Sequence, residues 1–162
     1  MVGRSIYMRI AGTALIGILL FVEAHGAGSI YYGSRAGMEV TVVGVSGIGT
    51  THAVIRVKHT RENARAFCTE YANDKLEACI DRTLRETRLN DQLKGNCETG
   101  WFTSLYGERL RFIGEAKHRG EFDPKYIILS DGKPLDGSSA SGYSYDLEQF
   151  EALCPNRAFG TD

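Results

Sequence analysis

An α+β domain is predicted for this chain on three observations. Two segments alternate at period two around a glycine cluster, two apolar stripes at helical spacing follow them, and the second half is dense in strand and turn signals. Successive side chains of a strand point to opposite faces, whereas a helix brings i, i+3, i+4 and i+7 together, so the two periods separate the element types. The order read from the N-terminus is a β-hairpin, a helical hairpin, then a β-rich half with a short C-terminal helix.

The first residues precede that domain. Arg4 and Arg9 lead into an uncharged, mostly apolar run from Ile10 to Val22, which ends in small residues around Ala24 and Gly26. Basic, apolar and small-residue segments in that order form a secretory signal peptide. The apolar run is 13 residues long, shorter than the roughly 20 that span a bilayer as a helix. Residues 1–24 are therefore expected to be cleaved, leaving 25–162 as a single disulfide-stabilised α+β domain in the periplasm or secreted. Retention at the inner membrane through an uncleaved signal is the alternative. After cleavage no integral membrane segment is expected. No cysteine precedes Cys68, which leaves none for lipid attachment at a mature N-terminus.

Met38–Val45 sets Met38, Val40 and Val42 on one face and Glu39 and Thr41 on the other. Thr51–Lys58 sets Ala53, Ile55 and Val57 inward, with His52, Arg56 and Lys58 outward. Between them Gly44–Thr51 (GVSGIGTT) nearly fits the phosphate-binding pattern G-x-x-x-x-G-K-[ST]. That loop needs a lysine and a following helix, whose N-terminal amides hold the anion. Here Thr50 stands in place of the lysine and β-branched residues follow, so the glycines are expected to connect a hairpin.

Thr60 is placed to cap a helix with Ala64, Phe67, Cys68 and Tyr71 on one stripe. After a break at Asn73–Asp74, a second stripe of Leu76, Cys79, Ile80 and Leu84 follows, with Asp74 and Glu77 spaced as a capping box. In one continuous helix Cys68 and Cys79 would stand about 16 Å apart, beyond the reach of a disulfide. A turn at Asn73–Asp74 lets them meet. Four cysteines in an exported chain imply two disulfides, and Cys68–Cys79 with Cys97–Cys154 is the expected pairing.

In the second half, Trp101–Leu105 and Arg109–Ile113 read as a hairpin with Leu110 and Phe112 inward and Arg109 and Arg111 outward. Trp101 is expected in the core. Tyr126–Leu129 is continuously apolar and is expected to be a covered central strand. Asp131-Gly132 and Asp136-Gly137 mark turns. Asp146–Cys154 reads as a helix with Leu147, Phe150, Leu153 and Cys154 on its apolar side, stopped by Pro155.

Sharper chemistry is not supported. Ser130-Asp131-Gly132-Lys133 has the S-x-x-K spacing of penicillin-recognising enzymes, but that motif needs a helix and the middle is a turn dipeptide. A nucleophile elbow would need glycine where Ser141 stands. His52, His59 and His118 show no metal-ligand spacing, and no C-x-x-C occurs, so no metal and no cofactor are expected. The formal net charge of −1 provides no global field for nucleic acid.

The remaining feature is the loop from Asp136 to Tyr145. Ser138, Ser139 and Ser141 offer adaptable hydrogen bonds, and Tyr143 and Tyr145 offer flat contact area, so these five are the expected binding residues. The function expected is non-catalytic binding in the bacterial envelope or at a host interface, the partner being a protein or an envelope glycan. Two alternatives stand beside it. One is an inhibitor of an exported enzyme acting through the same loop; the other is a small hydrolase whose site is assembled from distant residues, Ser139, His52 or His118 and a carboxylate. A basic strip of His52, Arg56 and Lys58 is a further candidate for contact with an anionic glycan or acidic partner.

Thr60–Ala64 (TRENA), the spacing of Cys68 and Cys79, Asn96–Phe102 (NCETGWF) and Asp136–Tyr143 (DGSSASGY) together resemble small, uncharacterised exported proteins of alphaproteobacterial type. The resemblance covers most of the mature chain. It implies a bacterial periplasmic address and carries over no activity and no catalytic residue.

Overall fold

A computed structural model describes residues 28–117, 120, 123–138 and 140–158. The signal segment 1–24, His118 and Ser139 lie outside the described residues. The protein is α+β, with an eight-stranded antiparallel sheet whose strands neighbour one another in chain order. The strands are β1 (Ser29–Tyr31), β2 (Glu39–Ser46), β3 (Ala53–Lys58), β4 (Gln92–Asn96), β5 (Trp101–Thr103), β6 (Arg109–Glu115), β7 (Tyr126–Ser130) and β8 (Lys133–Pro134). Helices α1 (Arg61–Glu70) and α2 (Glu77–Glu86) form an excursion between β3 and β4, which still pair with each other. Helix α3 (Tyr143–Leu153) and the single turn α4 (Pro155–Ala158) close the described chain.

The sheet is rolled round α3, and one side chain demonstrates it. In a flat sheet β1 and β5 would lie about 19 Å apart, at 4.7–4.9 Å per strand. Yet Gln149 of α3 donates from Nε2 to the carbonyl of Tyr31 at 2.9 Å and accepts from the amide of Leu105, just past β5, at 3.0 Å. A single carboxamide bridges both only if the strands curl towards each other. Bulges at Val42/Gly44 and Phe112/Gly114 accompany that curl, since an extra residue bends a strand and sharpens its twist. They also put Val43 and Ile113 on the surface.

Val40, Ile55, Val57, Leu93, Phe102, Leu110, Phe112 and Ile128 of the inner face pack with Phe150 and Leu153 of α3. The Phe150 ring stacks on Phe112 at 4.4 Å between centroids. Gly95 permits the close approach, because a Cβ there would stand 3.1 Å from Leu153. Cys97–Cys154 ties the end of β4 to the end of α3. A second, smaller core of Ala64, Cys68, Cys79 and Ile80 lies inside the helical hairpin. Cys68–Cys79 and the Arg61–Asp81 ion pair, 2.7 Å long, close that hairpin.

Several expectations from the residue pattern are corrected. Strands β1, β4 and β8 carry too few alternating apolar residues to be seen in isolation; β4, Gln92-Leu-Lys-Gly-Asn96, contributes a single fully buried side chain, Leu93. Tyr126–Ser130 is not central. It is the last long strand, bordered by the two-residue β8, and Ile127 and Leu129 are half-buried. Asp74 and Glu77 form no capping box: α2 begins after Leu76, and Asp74 instead accepts from the Leu76 amide at 2.9 Å. Leu76 and Tyr71 are exposed, being at helix ends beyond the small core. Thr60 caps α1, with Asn63 returning the bond to the Thr60 amide. Pro155 follows the end of α3 and begins α4, where the missing N–H costs nothing.

Candidate functional site

The hairpin glycines come first, because they build one wall of the site. Gly47 and Gly49 take φ of +59° and +78°, and the Thr50 hydroxyl donates to the Gly47 carbonyl at 2.7 Å. This is a β-turn between β2 and β3, with no helix after it. It is anchored on both sides, since the Gly49 amide donates to Leu153 and the Cys97 amide donates to Thr50.

The loop proposed from sequence to bind behaves differently from expectation. Helix α3 begins at Tyr143 rather than Asp146, so the loop ends at Gly142. Tyr143 is only 9% exposed, and its hydroxyl accepts from the Tyr126 amide at 3.2 Å. It is a core residue and offers no face to a partner. Tyr145 is half-buried beside Tyr106, with ring centroids 6.4 Å apart. Ser141 donates to the Ser138 carbonyl at 2.8 Å, and the Ser138 amide donates to Asp136 at 2.9 Å. These polar groups are spent on one another.

Unspent polar groups lie on the outer face of the sheet. Register places Val54, Lys94, Thr103 and Arg109 in one row across β3 to β6. Asn96, Trp101 and Arg111 form the adjacent row. Side chains directly opposite in such rows are about 5 Å apart. Between the rows is an open depression of about 340 Å³, lined by His52, Lys94, Asn96, Trp101, Thr103 and Arg109 among others, none of them a carboxylate.

Trp101 is 36% exposed, which corrects its placement in the core. Its position in β5 alternates with the buried Phe102, so only one of the two can face inward. The Arg109 guanidinium lies 4.5 Å from the Trp101 ring centre and that of Arg111 5.5 Å. A guanidinium held on an indole is pre-ordered, while its N–H fork stays available to an anion. Arg111 is further oriented by donation from Nε to the Thr99 carbonyl at 3.4 Å. Arg56, in the same surface, lies across Gly44, its guanidinium 3.0 Å from where a Cβ would stand. Among the described residues the ion pairs join Arg61 and Arg65 to Glu77 and Asp81, all on the helical hairpin. Lys94, Arg109, Arg111 and Arg56 take part in none of them.

His52 borders the depression, its Nδ1 hydrogen-bonded to the Thr51 hydroxyl at 2.7 Å. His59 is elsewhere, edge-on to Tyr32 at 5.5 Å, with burial pulling its pKa down. His118 and Ser139, the other members of the hydrolase alternative, lie outside the described residues. Among the described residues no three His, Cys, Asp or Glu side chains gather as metal ligands.

A second group of titratable residues sits inside the rolled sheet. Asp146 is 2% exposed and its Oδ1 has no hydrogen-bond partner. Burial, and then the nearby Glu108 charge, push its pKa up to about 7. Burial, then Tyr106, pushes the Tyr32 hydroxyl up to about 12. In both, burial disfavours the charged form.

Of the outer site, the sequence singled out His52 and Arg56 and placed Arg109 and Arg111 outward. Lys94 was missed because β4 was not recognised. The alternation in Arg109-Leu-Arg-Phe112 was the available signal; that Trp101 stands beside it is a matter of strand register.

Searches against protein-family models, curated proteins and solved structures give no match for this chain. Two disulfides join its four cysteines, and among the described residues no helix is long and apolar enough to cross a membrane.

Proposed function

We propose that this protein is an exported, non-catalytic binding domain of the bacterial envelope, periplasmic or secreted, that holds an anionic glycan on the outer face of its sheet. The observation that carries this reading is the depression of about 340 Å³ in which Lys94, Arg109 and the Trp101 ring meet without a carboxylate. Cations gathered on one face with no carboxylate among the lining residues leave their charge and N–H donors available to an anionic ligand. The size favours a sugar unit over a protein: compact ligand sites run about 300–1,000 Å³, and the depression is open and shallow. Export is supported by the two disulfides and by the basic, apolar and small-residue order of residues 1–24.

The chain has one tryptophan, so its fluorescence reports on the site directly. Titration with galacturonate is expected to change that emission, and Arg109→Ala is expected to weaken binding about tenfold, the loss of one charge-assisted contact. Added salt should weaken it further by screening the exposed charges. No change in emission with any uronate at millimolar concentration, or equal binding of a single-stranded oligonucleotide, would overturn the reading.

A further inference from the structure

We infer that Arg157 forms a second anion subsite beside the Trp101 depression, and that the two together take a glycan with acidic sugars in succession, a polyuronate. The inference rests on the anionic-glycan reading of the Trp101 site and extends it along the molecule.

A second hollow, of about 470 Å³, is lined by Thr50 and Thr51 of the turn, by Cys97 and Glu98 after β4, and by Asn156 and Arg157 of α4, among others. It adjoins the first. Thr51 lines both, and Asn96 of the first is followed directly by Cys97 of the second. The Cys97 amide donates to the Thr50 carbonyl at 3.0 Å, and the Glu98 amide donates to Asn96 Oδ1 at 3.0 Å. Residues that bound one hollow are thus bonded to residues that bound the other.

The way Arg157 is held makes the second hollow an anion subsite. Its Nη1 donates to the Cys97 carbonyl at 2.7 Å and to the Glu98 carbonyl. Both partners are neutral, so they orient the guanidinium and leave its charge in place. Among the described residues Arg157 enters no ion pair, and its Nε and Nη2 have no hydrogen-bond partner. Those two nitrogens form an edge that pairs a carboxylate through parallel N–H bonds. Glu98 is the one acidic residue among those lining either hollow; it is exposed and forms no ion pair with Arg157.

Arg109 is held on the same plan, by the Trp101 indole instead of carbonyls. Each arginine is ordered by an uncharged partner and keeps donors for a ligand, so binding costs little side-chain freedom. Arg61 is the contrast: its Nη1 and Nη2 already donate to Asp81 and Glu77. Two such cations in adjoining hollows favour a ligand whose negative charge repeats. A single uronate fills one hollow, whereas a polyuronate fills both, its second contact being intramolecular and helped by a high effective concentration. Single-stranded nucleic acid also repeats its charge, but it draws on stacking of successive bases on aromatic side chains. Trp101 is the only exposed aromatic lining the two hollows.

The test compares galacturonate, its tetramer and the methyl-esterified tetramer by calorimetry and by Trp101 emission. On the unmodified chain the tetramer is expected to bind at least about tenfold tighter than the monomer, and the neutral ester more weakly than the monomer. Added salt should weaken the tetramer more than the monomer, because more charges are engaged. Arg157→Ala should remove the tetramer's gain and leave monomer binding intact. Arg157→Gln, which keeps an amide donor for the two carbonyls but no charge, should do the same in folded protein. A smaller gain on the unmodified chain, an equal gain for the ester, or a gain that survives both variants would overturn the second subsite while leaving the Trp101 site standing. A thymidylate tetramer that binds as tightly as the galacturonate tetramer would overturn the glycan class. If neither galacturonate nor its tetramer perturbs Trp101, the anionic-glycan reading itself falls and the second subsite with it.

Discussion

The inner and outer faces of the sheet are made of alternate residues of the same strands, and they treat polar groups in opposite ways. Inside, Gln149 makes two hydrogen bonds to backbone, the Tyr143 hydroxyl takes one, and Asp146 is held towards its neutral form. Outside, Arg109 lies against the Trp101 indole and Lys94 lines the same depression, with no carboxylate among the lining residues. Burial presses a polar group to find a partner, because an unpaired one costs on the order of 1–3 kcal/mol; Asp146, whose Oδ1 has none, is pushed towards its neutral form instead. Solvent imposes no such demand, so unpaired charges can accumulate on the outer face. Binding capacity therefore resides in the groups whose hydrogen bonds and charges the fold leaves unspent.

The comparison breaks first if the inner face is not the source of stability. Phe150→Ala removes the ring stacked on Phe112 and in contact with Phe102, and should cost about 3–5 kcal/mol in urea unfolding. A loss below about 1 kcal/mol would mean that α3 does not anchor the roll.

Asp146 sharpens the contrast through pH. Its folded pKa, about 7, lies above the ordinary 3.8, so the folded state binds the proton more tightly than the unfolded chain does. The stability tied to the neutral carboxyl is complete below the lower value and is lost as pH rises through the higher one. The full span is worth about 4 kcal/mol, at about 1.4 kcal/mol per pH unit. Asp146→Asn should therefore raise the unfolding free energy at pH 8 and leave it nearly unchanged at pH 3.5, as followed by urea titration at each pH. An equal effect at both would show that folding leaves the Asp146 pKa unshifted.

The two disulfides test the two cores against each other. Cys97–Cys154 closes a separation of 57 residues and Cys68–Cys79 one of 11. Constraint of the unfolded chain predicts about 4 kcal/mol lost when the first pair is replaced by serine and about 3 kcal/mol for the second. Equilibrium unfolding of the two double mutants gives the ranking directly, and a reversed order would place the weight of the fold in the helical hairpin.

The smallest stability effect belongs to the outer face. Trp101→Phe and Arg109→Ala should shift unfolding by no more than about 0.5 kcal/mol, while Arg109→Ala lowers affinity for uronate about tenfold. A cost above about 2 kcal/mol for Trp101→Phe would make that indole part of the structure instead of part of a site.

Much of this protein was determined by its sequence alone. Period-two alternation in Ala53–Val57 and Leu110–Phe112, the Thr60 cap, the break at Asn73–Asp74 and the Asp131-Gly132 turn are local facts, because backbone geometry and turn chemistry act over a few residues. Asp131 and Gly132 take φ of +48° and +77°, as a tight hairpin requires. Tertiary structure decided the rest. Strand β4 exists because β3 and β5 pair with it, its own residues being a poor strand signal. Tyr143 is buried because α3 begins one turn earlier than the apolar pattern alone marks. Trp101, Arg109 and Lys94 come together only through the register of three strands, and Gln149 reaches both Tyr31 and Leu105 only through the roll of the sheet. Register and roll depend on pairing between distant segments, whose energies no local window contains.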